Sequence, residues 1–279
     1  GYTNAYRNKW YATSNAGEIN TEFRAPDGTF DYATIYALNQ ESETGSLMAM
    51  GKSINDHNWY GLISTYTRDL TDRIRLNAGI DLRYYKGIHS AKLTDLYGGA
   101  YFSNADNRKN VKHAGKDDPE WVNAPLQVGD IVYRDYDGHV RQAGLFAQTE
   151  YNNDYLSAFI AASVSNSTYW RYDSFYYDAS DARSPKADFT CFTLKGGANY
   201  NLNQIHNIYA NLGYISRVPF LADGVFLQKE TSNAINRDAV NEKVFSAELG
   251  YGYRSSWLSA NLNLYRTSWM DKTMATSFY

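Results

Sequence analysis

The stretch that most constrains this chain runs from Lys243 to Thr267. Taken at alternate positions, Phe245, Ala247, Leu249, Tyr251 and Tyr253 form one series. Val244, Ser246, Glu248, Gly250, Gly252 and Arg254 form the other. After Ser255-Ser256 the alternation resumes, with Leu258, Ala260, Leu262 and Leu264 set against Ser259, Asn261, Asn263 and Tyr265. Successive side chains of a strand point to opposite faces, so the pattern predicts a hairpin of two long strands with one apolar and one polar face. The polar face is made of Ser, Asn and Gly rather than rows of Lys and Glu. Such a face suits a wet lumen, and its opposite suits lipid.

The same alternation recurs over Arg73–Tyr85, Val140–Tyr151, Tyr155–Ser165, Thr190–Asn201 and Asn207–Ser216, and more weakly over Asn58–Arg68. About eight strands of ten or more residues result, the length that crosses a bilayer at a tilt. Tight turns are expected at Asp69, Asn152, Asn203 and Ser255. Long loops are expected over about 2–56, 86–139, 170–188 and 217–242. Short turns on one side and long loops on the other are the layout of an up-and-down transmembrane barrel. Local expectations within the loops are a short helix over Asp31–Asn39 with Asp31 near its N-cap, a strand over Gly45–Met50 ending at the turn Asn55-Asp56, and a strand over Ile131–Tyr136 that turns at Asp137-Gly138. Gly1-Tyr2 reads as the end of one strand, and Met270–Tyr279 as the start of another.

Bulk properties exclude some classes. The 279 residues carry a net charge of -3, so no basic footprint points to nucleic acid. Mean hydropathy is -0.56, but a barrel strand turns only half its residues to lipid, so that average does not separate soluble from membrane chains. No run approaches the ~18 apolar residues of a transmembrane helix. The 26 Tyr and 6 Trp are the compositional outlier. Tyr151, Tyr155, Tyr200, Tyr253 and Trp257 flank the tight turns, as an interfacial girdle would. The competing architecture is a soluble meander or sandwich with one packed face.

The segments HNWYGLIS at 57–64, GIDLRYYKG at 79–87, LTDLYGGAYF at 93–102, IYANLGYISRVPF at 208–220, AELGYGYRS at 247–255 and LNLYRTSWMDK at 262–272 resemble the barrel of TonB-dependent outer-membrane receptors of the Bacteroidota type. The resemblance implies an all-β, antiparallel barrel of ~22 strands, of which this chain is an interior portion, closed by an N-terminal plug that the sequence does not contain. It also implies localisation to the outer membrane of a Gram-negative bacterium. Its implied role is import of a scarce solute, such as an oligosaccharide, peptide, cobalamin or iron chelate. Energy would come from the TonB complex acting through the plug, and outer-membrane lipid is a further partner; separately, the long loops offer a surface lipoprotein partner a place to dock.

Catalytic and metal chemistry find no constellation. None of His57, His89, His113, His139 and His206 stands in metal spacing. Asp117, Asp118 and Glu120 read as solvated acids rather than a calcium site, and Asp135-Tyr136-Asp137-Gly138 lacks the closing Glu of a calcium loop. Ser163 and Ser165 lack a partnered His, Gly196-Gly197 reads as a packing site, and Cys191 as a small apolar filler. The chain is read as no enzyme, with no catalytic residue, metal or cofactor. Arg73, Arg75, Asp81, Arg83, Lys195 and Glu248 are expected to face the lumen as a bracing charge network. The ligand-binding candidates are Trp121, Trp170, Tyr172, Tyr176, Arg217 and Phe220. These aromatics equally suit packing of the loops on one another. Rival functions are a soluble glycan-binding β-protein, and a passive porin-like or surface-assembly barrel.

Overall fold

In a computed structural model, which describes residues 5–12, 24–222, 224–227 and 231–273, the alternating ribbons become nine antiparallel strands. These are β1 (Ala5–Ala12), β2 (Met48–Thr71), β3 (Ile74–Asp95), β4 (Ile131–Asn152), β5 (Leu156–Asp173), β6 (Ala187–Asn201), β7 (His206–Arg217), β8 (Glu242–Arg254) and β9 (Ser259–Met270). They form one sheet in chain order, each strand hydrogen-bonded to its sequence neighbours, with β1 and β9 at the open edges. Tight connections join β2 to β3, β4 to β5, β6 to β7 and β8 to β9. The other four connections are long, so all long loops gather at one end of the sheet.

Register decides the faces. Ile80 pairs with Leu145, Leu145 with Val164, and Val164 with Phe192. Nearer the tight turns, Ala198, Ala210, Leu249 and Leu264 form a second row. Cross-strand partners share a face, so the apolar series of β3 through β9 merge into one surface. No second layer among the described residues covers it: Ile80 is 37% exposed, Leu249 58% and Leu262 64%. Each such leucine forgoes roughly 1.5–3 kcal/mol of burial if water is its surroundings. This excludes the sandwich, whose apolar faces would meet.

Among the described residues, the buried apolar clusters lie at the loop end. One joins Tyr11, Ala49, Leu93, Phe102, Leu126 and Val132. Another seats α1 (Tyr32–Glu41) through Ile35 on Met48, with Trp10 and Tyr97 packed alongside. Asp31 caps α1 by accepting from the Thr34 amide at 3.0 Å and the Thr34 hydroxyl at 2.7 Å, and these bonds hold its carboxyl below the usual carboxylate range. The helix expectation is met there. Asn39, buried in the last turn of α1, donates to the carbonyls of Met48 and Leu96 and so fastens the helix to β2 and β3.

Several expectations are corrected. β2 runs without a turn through Asn55-Asp56, and β4 runs without a turn through Asp137-Gly138. Strands also extend further into the loop end than the alternation indicated, so the connections shrink to 96–130, 174–186 and 218–241. The region before residue 56 contains β1 and the start of β2 as well as α1. In β4 the physical reason is Gly138, which reads as a turn residue but serves as a seat. A Cβ there would lie 3.3 Å from Leu221 Cδ1, because loop 218–241 packs down on the strand. The first tight turn falls at Asp72-Arg73 rather than beginning at Asp69. Met270 closes β9, no strand occupies 271–273, and the remainder of that expectation, like Gly1-Tyr2, lies outside the described residues.

Candidate functional site: the inward face and its loop cover

The face opposite the apolar surface is the polar one, and it divides into two zones. Near the tight turns it is a field of amides and hydroxyls. Asn207 Nδ2 donates to Asn199 Oδ1 at 2.6 Å, Asn199 Nδ2 to Asn201 Oδ1 at 3.0 Å, and Asn211 Nδ2 to Glu248 Oε2 at 3.0 Å. The Tyr209 hydroxyl donates to Asn263 Oδ1. Gly250 stands opposite Tyr209 in the ladder, and any Cβ there would strike the Tyr209 ring. The ring therefore lies flat across the strand and fills the space a side chain would occupy. Beside it a concavity of about 540 Å³ is lined by Gln148, Glu150, Ser157, Phe159, Asn199 and Tyr209 among others.

The expected charge network is partly present on this face. Arg75 Nε meets Asp69 Oδ1 at 2.7 Å and Arg83 Nη2 meets Asp81 Oδ2 at 2.6 Å. Both pairs are local and solvent-facing, so each contributes little to stability. Glu248 is held by Asn211 rather than by a cation.

Toward the loop end, loops fold onto the inward face and cover it. Val225 and Phe226 from loop 218–241 are fully buried against Tyr169, Ala187, Val140 and Phe189. Arg171 lies at the centre of this cover with its side chain at 0% exposure. Its guanidinium meets Asp173 Oδ2 at 3.2 Å, donates to the Ser232 carbonyl at 2.7 Å, and lies 4.1 Å over the Tyr136 ring. Asp173 Oδ1 in turn accepts from the Phe175 and Tyr176 amides at 3.0 and 2.8 Å. One buried ion pair thus ties β5 to two loops. The signal for it was the period of two: continued past Trp170, it turns Arg171 and Asp173 inward.

The same register places the six ligand candidates. Trp170 pairs with His139, and His139 with Lys86, which puts Trp170 on the outward face above Ile80 and Leu82. Tyr172 follows it outward and is 41% exposed. Tyr176 is buried at 2% and joins Val111, Phe175 and Trp121 in a cluster that binds loop 174–186 to loop 96–130. Trp121 also lies beneath the Arg108 guanidinium at 5.0 Å. Arg217 and Phe220 come together at the loop end of β7. The Arg217 guanidinium lies 4.8 Å over the Phe220 ring and meets Glu242 Oε2 at 2.6 Å. Phe220 remains 61% exposed.

Elsewhere, Asp118 caps the short helix Pro119–Asn123, and Asp117 pairs with Lys116 at 2.8 Å. Among the described residues no group of three or more His, Cys, Asp or Glu is gathered as metal ligands would be. Asp135, Asp137 and Gly138 lie within β4, not in a loop.

Comparison with known proteins gives a consistent result. The family model described as TonB dependent receptor-like, beta-barrel matches residues 1–275. Among solved structures, the ferric citrate transporter FecA in its unliganded form is similar at 12% identity and a TM-score of 0.52, over 79% of this chain and 28% of that one. The copper transporter OprC is similar at 15% identity and a TM-score of 0.55, over 82% of this chain and 32% of that one. The chain therefore spans less than a third of either transporter. No curated protein matches it.

Proposed function

The chain belongs to the TonB-dependent receptor-like β-barrel family, and from that premise we propose that it forms part of an outer-membrane importer for a scarce solute. In this reading the sheet is one arc of a barrel of ~22 strands, with β1 and β9 pairing onward to further strands. A plug domain lies outside this chain and receives energy from the TonB complex. The apolar face meets lipid, the inward face lines the lumen, and the loop end faces the cell exterior of a Gram-negative bacterium.

The observation that carries this reading is the uncovered apolar surface of β3 through β9, combined with the gathering of every long loop at one end. A water-soluble sheet would leave no such surface bare. An outer-membrane barrel requires it.

Of the six ligand candidates, Arg217 and Phe220 are the two we assign to solute contact, a reading supported by their exposure at the loop end of β7. Arg217 points inward and its side chain is 46% exposed although Glu242 holds one edge. Its remaining N–H groups and the Phe220 ring would grip a planar acceptor such as a carboxylate, amide or sugar hydroxyl. Trp121 and Tyr176 would act by holding loops 96–130 and 174–186 in shape, and Trp170 and Tyr172 by facing the membrane boundary. Oligosaccharide, peptide, cobalamin and iron chelate all remain within this chemistry. The outer rim of the loops is the surface a lipoprotein partner would meet. No bond is made or broken by these residues, so the role is transport rather than catalysis.

Cells carrying the intact receptor, supplied with its solute, test the reading. Uptake should cease when the inner-membrane proton gradient is collapsed. Uptake that continues unchanged would mean a passive porin and would overturn energy coupling.

A further inference from the structure

On the outward face at the loop end of β3, β4 and β5, aromatic rings are stacked in series. Tyr60 stacks on Tyr84 with centroids 6.3 Å apart, Tyr84 on Trp170 at 6.3 Å, and His139 on Trp170 at 5.0 Å with planes 3° apart. The Tyr84 hydroxyl and His139 Nδ1 are hydrogen-bonded at 2.9 Å, which locks the group. Two cations lie over the Trp170 ring, Arg183 at 5.9 Å and Lys186 at 5.8 Å. Arg141 is the cross-strand partner of Tyr84, on the same face, and is exposed.

The charge balance here is one-sided. Lys86 is occupied by Asp137 at 2.7 Å. The side chains of Arg141, Arg183 and Lys186 make no ion pair with any described residue. Asp188, a further acid on this face, accepts from the Thr168 hydroxyl at 2.5 Å. Three free cations therefore surround a rigid aromatic shelf. Its height is informative. From Leu156 beside the tight turn to Trp170, β5 climbs about 46 Å at ~3.3 Å per residue, or about 33 Å across a bilayer at a ~45° tilt. The hydrocarbon core is ~30 Å thick, so the shelf and its cations stand at headgroup level.

We propose that Arg141, Arg183 and Lys186, set around the Tyr84–Trp170 shelf, bind the phosphate groups of a phosphorylated glycolipid in the leaflet on the loop side. The inference rests on the barrel reading, since it needs this face to meet lipid. Arg supplies a planar fork for phosphate oxygens, and Lys a point charge. The rings pack the body of the headgroup and desolvate the cations' stems.

The test uses the full-length receptor, purified in detergent, with lipid retention read by native mass spectrometry. Three probes are offered separately: lipid A, phosphatidylglycerol and phosphatidylcholine. Lipid A should be retained at least tenfold better than either phospholipid. The triple substitution Arg141→Gln, Arg183→Gln and Lys186→Gln should abolish that preference while heat-modifiable gel mobility stays that of a folded barrel. If the triple variant does not fold, the single substitutions Arg183→Gln and Lys186→Gln should each lower retention about threefold. Equal retention of lipid A and phosphatidylglycerol would overturn the glycolipid assignment. Displacement of lipid A by millimolar inorganic phosphate would reduce the site to a free-anion site and overturn it too. Failure of the receptor to enter bilayers would instead defeat the barrel reading, whereas insertion without lipid preference defeats this inference alone.

Discussion

Arg171 and Asp173 show what a buried charge does in this protein. Both are enclosed by loops, and their bonds reach Ser232, Phe175 and Tyr176. Removing one partner of such a pair leaves the other unpaired in a dry site, at a cost of ~3–5 kcal/mol. Arg171→Ala should therefore loosen loop 174–186 without melting the sheet. Hydrogen exchange is the measurement: protection of the Phe175 and Tyr176 amides should fall by roughly two orders of magnitude, and unchanged protection would show that the pair does not hold the loop. Gly250 is a second residue with a defined job. Gly250→Val should destabilise the barrel because the Tyr209 ring occupies the space. Adding Tyr209→Ala should recover most of the loss, and a double variant no better than the single one would contradict the packing. The Gly250 role was not legible in sequence, and the Arg171 role was legible only if the period of two is carried past Trp170. A glycine facing a tyrosine is a cross-strand fact, and Arg171 sits in a segment that composition alone assigns to a loop.

At the scale of the strand, the period of two carried most of the information. The membrane-level parts of β3 to β9 were legible because one solvent touches each face along their whole length. Legibility failed where that condition fails. In β2 before Asn58 and in β4 before Val140, loops cover the inward face, so small and polar residues such as Gly138 stand where alternation would demand a larger group. Turn signals at Asn55-Asp56 and Asp137-Gly138 misled for the same reason. A strand-level prediction follows from the two faces. Leu249 stands about 12 Å above the β8–β9 turn at ~3.4 Å per residue and ~45° tilt, near the bilayer midplane. Leu249→Arg should cost ~2–4 kcal/mol of folding free energy in lipid vesicles. Asn211→Arg, at the same level on the inward face beside Glu248, should cost far less. Equal costs at both positions would mean that the two faces see the same solvent.

At the scale of the whole molecule, apolar surface is buried at one end and left bare at the other. The loop end has its own buried clusters, built of Tyr11, Phe102, Ile35 and Phe226 among others. The part of the sheet beside the tight turns has no counterpart among the described residues, and its leucines and isoleucines stand bare. Hydrocarbon is the medium that resolves this. Nitroxide labels placed one at a time at Ile80, Leu145, Leu249 and Leu262 of the full-length receptor in bilayers measure it directly. Each label should collide freely with dissolved oxygen and be shielded from a water-soluble nickel chelate. Ready collision with the chelate, or labels immobilised beneath a second protein layer, would contradict the account.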